Sequence, residues 1–253
     1  FWKMKAKIRY ADTFMDTTPR RIEECDARQL EVLKIFSRYK FNRILDVGCA
    51  DGNFSILLKE ACNAKEVYGI EISEKGVKLA RNNGVKAFQL DIDDRDFPFE
   101  DNYFDAIFAG EIIEHLYNPD HFLEECYRVL HSEGIFVLTT RNLASLYNRI
   151  ALLLGFQPFP TSVSLRFNVG RPFEVSDEIL GDHIRVFTYR AILQLLSFYN
   201  FKIVEVKGAP SVLPKNKKWY FIVIRLIDKI LSRIPSLSQG IIIISRKHVG
   251  DVK

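Results

Sequence analysis

The 253 residues are 47% hydrophobic and 27% charged, which excludes a disordered, collagen-like or low-complexity chain and fits one α/β domain with an insertion or at most two small domains. The net charge of +4 hides an asymmetry: residues 44–140 carry 19 acidic against 8 basic groups, residues 141–253 carry 17 basic against 7 acidic. That split suits a cationic ligand on the middle third and anionic partners on the last, or simply solvated surface helices. Cys25, Cys49, Cys62 and Cys126 form no CxxC pair, and the opening FWKMKAK has no long apolar run, so a reduced, cytoplasmic setting is expected.

In chain order, Thr18-Pro19 predicts a helix over Arg20–Tyr39 with Thr18 as N-cap and Pro19 at the first helical position. Short apolar runs then alternate with helical stretches. Strands are predicted at Arg43–Val47, Glu66–Glu71, Lys86–Leu90, Tyr103–Ala109 and Gly134–Thr140, with helices at Asn53–Cys62, Glu74–Arg81 and His121–Leu130. The rhythm implies right-handed βαβ crossovers and a mostly parallel sheet covered on both faces. After Thr140 it breaks: a helix over Leu143–Leu154, a Pro/Phe-rich stretch at 156–160, and then a helix at Tyr189–Tyr199 and a strand at Phe201–Lys207. An interruption of this length inside a domain reads as a lid or substrate-binding insert. Trp219–Ile234 reads as a helix and Gly240–Ser245 as the last strand. Arg225, Asp228 and Lys229 break the apolar run well short of a bilayer span. It fits a helix packed on the α/β layer; with Lys215, Lys217 and Lys218 before it, peripheral membrane contact through 215–234 is the other reading.

The sharpest signal is Ile44–Phe54: an apolar strand ends in Asp46, turns through Gly48 and Gly52, and enters a helix. Glu71, at the end of the next strand, stands where an acidic side chain accepts from ribose hydroxyls. Asp91 closes the third strand and could accept from an adenine amino group, with Ile72 and Ile92 sandwiching the ring. Three acids at successive strand ends suit adenosine attached to a cation better than a pyrophosphate. The dinucleotide pattern G-x-G-x-x-G is absent, because Ala50 stands at its second glycine, which argues against a nicotinamide oxidoreductase.

DVGCADGNF resembles the first motif of class I S-adenosylmethionine-dependent methyltransferases, GIEIS (69–73) resembles their second, and Gln89–Leu116 is similar to the stretch holding the third and fourth. The likeness is nearest to the group containing quinone-biosynthesis and many O-methyltransferases. It implies a Rossmann-like, seven-stranded, mostly parallel sheet with an antiparallel last strand and helices on both faces. It implies S-adenosyl-L-methionine as cofactor, held by Asp46, Gly48, Cys49, Gly52, Glu71, Ile72, Asp91, Ile92 and Glu111. The expected organisation is an N-terminal helical cap (1–40), a cofactor-binding core (41–140), an insert (141–186) and a part completing the sheet (187–253).

Methyl transfer needs donor and acceptor held in line, and a base where the acceptor must lose a proton. Glu111, Glu114 and His115 would share one face if a helical turn follows the fourth strand, and His183 begins the post-insert segment over the same cleft. Glu114, His115 and His183 are therefore the candidate catalytic groups. The ExxEH string followed by a later histidine is also similar to small-RNA 2′-O-methyltransferases, in which Glu111, Glu114, His115 and His183 would form a Mg²⁺- or Mn²⁺-type site; in other relatives it needs no metal. His121, His131 (near a helix end) and His248 read as surface residues.

The insert should select the acceptor. Tyr147, Phe156, Phe159, Phe167 and Phe173 could wall it, with Arg166, Arg171 and Arg185 as anion clamps. The basic last third fits a small or carrier-linked, anionic acceptor, whereas the dense basic stripe with interleaved aromatics that marks nucleic-acid binding is missing. The expected activity is O-methylation; the alternatives are metal-dependent RNA 2′-O-methylation and a non-catalytic module of the same fold.

Overall fold

The computed structural model describes residues 22–164, 167, 169–171, 183–210 and 226–248. Each apolar run of the middle third becomes a strand: β1 (Arg43–Val47), β2 (Glu66–Glu71), β3 (Lys86–Gln89), β4 (Phe104–Gly110) and β5 (Leu130–Arg141). With β6 (Phe201–Ala209) and β7 (Gly240–Lys247) they form one seven-stranded sheet in the order β3-β2-β1-β4-β5-β7-β6. The first five strands run parallel, and β7 lies antiparallel to both β5 and β6. This is the Rossmann-like mostly parallel sheet.

Strand periodicity divides the core into two layers. Leu45, Val47, Ile241 and Ile243 face one layer, and Ile44, Ile242 and Ile244 face the other. Both faces are therefore apolar, as a central parallel sheet requires. The helices that cover them are α1 (Ala27–Phe36), α2 (Asn53–Ala61), α3 (Glu74–Asn82), α4 (Pro119–Val129), α5 (Leu146–Leu153) and α6 (Tyr189–Phe198). α4 starts on Asn118, whose side chain accepts from the His121 amide, with Pro119 in the first turn.

The first helix begins later than Thr18-Pro19 suggests. Its N-cap is Asp26, which accepts from the Gln29 amide at 2.7 Å, while the Gln29 side chain accepts from the Asp26 amide at 3.1 Å. This reciprocal box outcompetes the first helical turns forecast upstream; Thr18 and Pro19 lie outside the described residues. His131 lies two residues past the end of α4, at the start of β5, and is exposed as expected.

The strand order reverses between β1 and β4. A doubly wound sheet leaves a crevice at that point, outside the carboxyl ends of its strands. Asp46 stands at the end of β1, and Glu111 follows the last residue of β4.

Candidate active site

The chain leaves β1 through a loop that few side chains tolerate. Gly48, Ala50 and Gly52 have φ of 81°, 50° and 77°. The amides of Gly48 and Cys49 donate to the Ile70 carbonyl of β2 at 2.8 and 3.1 Å, which ties the loop to the neighbouring strand. A Cβ on Gly52 would lie 2.8 Å from Val85 Cγ2 and 2.9 Å from Ala80 Cα, so only glycine lets α2 start this close to α3. Asp46 is buried beneath the loop and accepts from the Ser55 hydroxyl at 2.5 Å. Burial pushes its carboxyl up to about 7; the Ser55 hydrogen bond opposes this, and Glu71 and Asp51 add to it.

Across the crevice, Glu111 has a φ of 53°, so it does not enter the helical register expected with Glu114 and His115. Its amide donates to the Thr139 carbonyl, and its Oε2 lies 2.6 Å from both Arg28 Nη1 and Arg141 Nε. Burial alone would raise its carboxyl, but the two guanidiniums outweigh that and hold it below the ordinary range. Glu111 Oε1 is buried without a hydrogen-bond partner among the described residues. A cavity of about 410 Å³ lies between these walls, lined by Arg28 and Gln29 of α1, Asp46 and Gly48–Asp51 of the loop, and Glu111 and Thr139.

Behind Glu111 the chain makes a tight turn at Ile113–His115. Glu114 is buried and accepts from the Thr140 hydroxyl at 2.9 Å. Burial, and then the charge of Glu111, push its carboxyl up to about 8. Its backbone carbonyl accepts from the amides of Ile184 and Arg185 at 2.8 and 3.0 Å, which brings the post-insert segment onto this turn. The rings of His115 and His183 consequently lie 4.9 Å apart, and His183 Nδ1 is 2.8 Å from the Pro160 carbonyl. A carbonyl only accepts, so that contact places the proton on Nδ1 and leaves Nε2 as an acceptor. One carboxylate oxygen of Glu114 and one nitrogen each of His115 and His183 all lie within 4.8 Å of one another.

Of the residues picked from the sequence, Asp46, Gly48, Cys49 and Glu111 line the cavity and Gly52 shapes it. Glu71 is not among the residues lining this cavity; its oxygens accept from the Ala50 and Ser73 amides at 3.0 and 2.9 Å, which braces the loop. Ile72, Asp91 and Ile92 are likewise not part of its lining, and Ile92 packs into the core. Arg185 is exposed and donates from Nε and Nη2 to the Tyr117 carbonyl, the latter at 2.8 Å. Arg171 donates to the Thr161 carbonyl at 3.1 Å, and the Phe159 amide donates to Asn148 at 3.0 Å. Phe156 and Phe167 are exposed rather than forming a wall; Arg166 and Phe173 lie outside the described residues. Sequence reasoning missed Arg28, Gln29 and Arg141.

A sheet of this order, with a glycine turn at the end of its first strand and acids across the switch point, defines a class I methyltransferase fold. Residues 45–138 match the methyltransferase domain, so this part of the chain is similar to class I S-adenosylmethionine-dependent methyltransferases. It is 34% identical over 106 residues to 27-O-demethylrifamycin SV methyltransferase of Amycolatopsis mediterranei, covering 38% of this chain and 38% of that protein. It is 26% identical over 147 residues to a ubiquinone biosynthesis O-methyltransferase of Pelagibacter ubique, covering 56% of this chain and 60% of that protein. The chain thus spans between about a third and two thirds of the curated relatives it matches. Among solved structures, the fold is similar to a S-adenosylmethionine-dependent methyltransferase of Thermotoga maritima, described as a possible histamine N-methyltransferase. The TM-score is 0.57 at 18% identity, over 87% of this chain and 89% of that one.

Proposed function

We propose that this protein transfers the methyl group of S-adenosylmethionine to an oxygen of a small or carrier-linked acceptor. The observation that carries the reading is the pairing of charges in the cavity: Glu111 offers an unpartnered buried oxygen beside the guanidinium of Arg28. A methionine end group presents one ammonium and one carboxylate, and this pair matches both. The cofactor supplies an electrophilic methyl carbon on a sulfonium. Arg28 takes the carboxylate, Glu111 the ammonium, and the turn at Gly48 lets the backbone approach the ligand. Asp46, buried in the wall, becomes anionic more readily beside a cation.

The acid–base work falls to the turn behind Glu111. His183, its tautomer fixed by Pro160, takes the acceptor proton on Nε2 as the methyl group arrives, and His115 and Glu114 position it. The insert residues Phe159, Arg166 and Arg171 belong to acceptor selection. Labelled-methyl transfer from S-adenosylmethionine into fractionated source extract tests the reading: a labelled, alkali-resistant oxygen-linked product supports it. Cofactor turnover without such a product, or label on nitrogen or carbon, overturns the O-methylation assignment.

One observation favours a second reading, a divalent cation held by Glu114, His115 and His183, whose donor atoms lie within 4.8 Å of one another. Those residues would then lower the acceptor hydroxyl's pKa through the ion, as in the metal-dependent 2′-O-methylation of RNA. Chelation by EDTA separates the two: activity lost and restored by Mg²⁺ or Mn²⁺ favours the ion, and undiminished turnover removes it.

A further inference from the structure

The helical turns at 226–231 are amphipathic the wrong way round for a core helix. Asp228 is 2% exposed, whereas Leu226, Ile227 and Ile230 stand in solvent, followed by exposed Ile234. The spacing of Leu226, Ile227 and Ile230 puts them on a single stripe, and Ile234 lies just past the end of the helical turns. Asp228 points inward, close enough to α5 that its charge adds to burial in raising the Tyr147 hydroxyl. In these turns the face against the fold carries Asp228, while the apolar side chains Leu226, Ile227 and Ile230 face solvent.

α5 repeats the pattern. Ile150, Leu153 and Leu154 share one outer face at i, i+3 and i+4, with Leu153 85% and Leu154 64% exposed, and Phe156 continues it. The start of α5 and the segment that follows 226–231 are tied together by hydrogen bonds. The Leu146 amide donates to the Leu237 carbonyl at 3.0 Å, and Arg149 Nη2 to the Ser236 carbonyl at 3.3 Å. The combined surface is rimmed by exposed Arg149, Lys229 and Arg233. Among the described residues of 141–171 and 226–248 the only carboxylate is the buried Asp228. No helix of the described residues is long and apolar enough to cross a membrane.

We propose that this face docks on the surface of an anionic lipid bilayer, with the two apolar stripes sunk into the headgroup–acyl boundary and Arg149, Lys229 and Arg233 on the lipid phosphates. Apolar side chains alone would suit any hydrophobic partner; the basic residues at its rim, Arg149, Lys229 and Arg233, favour one that is negatively charged and extended. Exposed apolar residues of this number seldom remain uncovered in a soluble monomer. The face lies along the insert, whose Phe159 amide bonds Asn148 of α5, so docking would set the insert at the lipid surface.

Co-sedimentation of the whole chain with vesicles tests this. The chain should pellet with phosphatidylcholine vesicles containing phosphatidylglycerol and stay in solution with phosphatidylcholine alone. Lys229→Glu with Arg233→Glu should lower binding by about tenfold or more, since each basic residue near a charged surface contributes a measurable attraction. Leu153→Glu with Ile230→Glu should abolish it. All four positions are exposed, and unchanged S-adenosylmethionine binding would verify that the variants are folded. Equal binding to both vesicle types, no binding to either, or a dimer in sedimentation equilibrium that Leu153→Glu dissociates would each overturn the proposal.

Discussion

Asp46 is 3% exposed in the wall of the cavity, and burial raises its carboxyl to about 7 from an ordinary 3.8. The unfolded chain releases this proton near its ordinary value, whereas the folded chain keeps it until about 7. The folded state is therefore favoured most below about pH 4, and that contribution is lost as the pH rises through about 7. A proton retained for about three pH units, at about 1.4 kcal/mol each, corresponds to about 4 kcal/mol, of which about 2.5 kcal/mol falls between about pH 5 and pH 8. Asp46→Asn removes the titration and keeps an acceptor for the Ser55 hydroxyl. Urea unfolding of the ligand-free protein and the variant across this range reads the difference directly. Glu114, also raised by burial, is present in both proteins and drops out, and the charge of Glu71 adds only to the smaller, coulombic part of the Asp46 shift. The variant should gain about 2.5 kcal/mol on the wild type between about pH 5 and pH 8. A difference that stays flat would refute desolvation as the force acting on Asp46.

Three further outcomes follow from the site. Glu111→Gln leaves Arg28 and Arg141 in a largely buried place without their carboxylate, and should cost about 3 kcal/mol in urea unfolding; the partial exposure of Arg141 keeps it at the low end of such losses. His183→Asn should lower kcat by about 10²-fold or more and leave S-adenosylmethionine affinity within about twofold, which steady-state kinetics and calorimetry separate. Gly52→Ala forces a side chain into a left-handed conformation 2.9 Å from the Ala80 Cα, and should lower stability by about 2 kcal/mol and weaken cofactor binding with it.

Much of this architecture can be read from local pattern. The five strands of the middle third lie within a few residues of their apolar runs, because a parallel sheet buried on both faces needs continuous apolar stretches. The glycine turn after Asp46 is equally legible, since Gly48 and Gly52 adopt the positive φ that glycine favours. Local rules fail where long-range partners decide. Arg28 sits on a helix whose own sequence says nothing of Glu111, 83 positions later, yet the pair forms one side of the cavity. Glu71 has the strand-end position expected of a ribose acceptor, and its oxygens also accept from the Ala50 and Ser73 amides, a bracing contact that the strand pattern does not encode. Arg185 is held by the Tyr117 carbonyl for a similar reason: the segment that carries it is drawn onto the Glu114 turn by backbone hydrogen bonds no pattern encodes. The pairing of His115 with His183 was legible as a shared cleft, and its cause is that same backbone contact.

The central claim is that the cavity between α1 and the glycine loop holds the methyl donor by its methionine end. Calorimetric titration of S-adenosylmethionine and S-adenosylhomocysteine into the wild type and Arg28→Ala tests it most directly, because both ligands carry the same carboxylate. The wild type should bind one molecule of either per chain, and Arg28→Ala should weaken both by about tenfold or more, the loss of a charge-assisted hydrogen bond. Failure of the wild type to bind either ligand, or equal affinity in the variant, would contradict it.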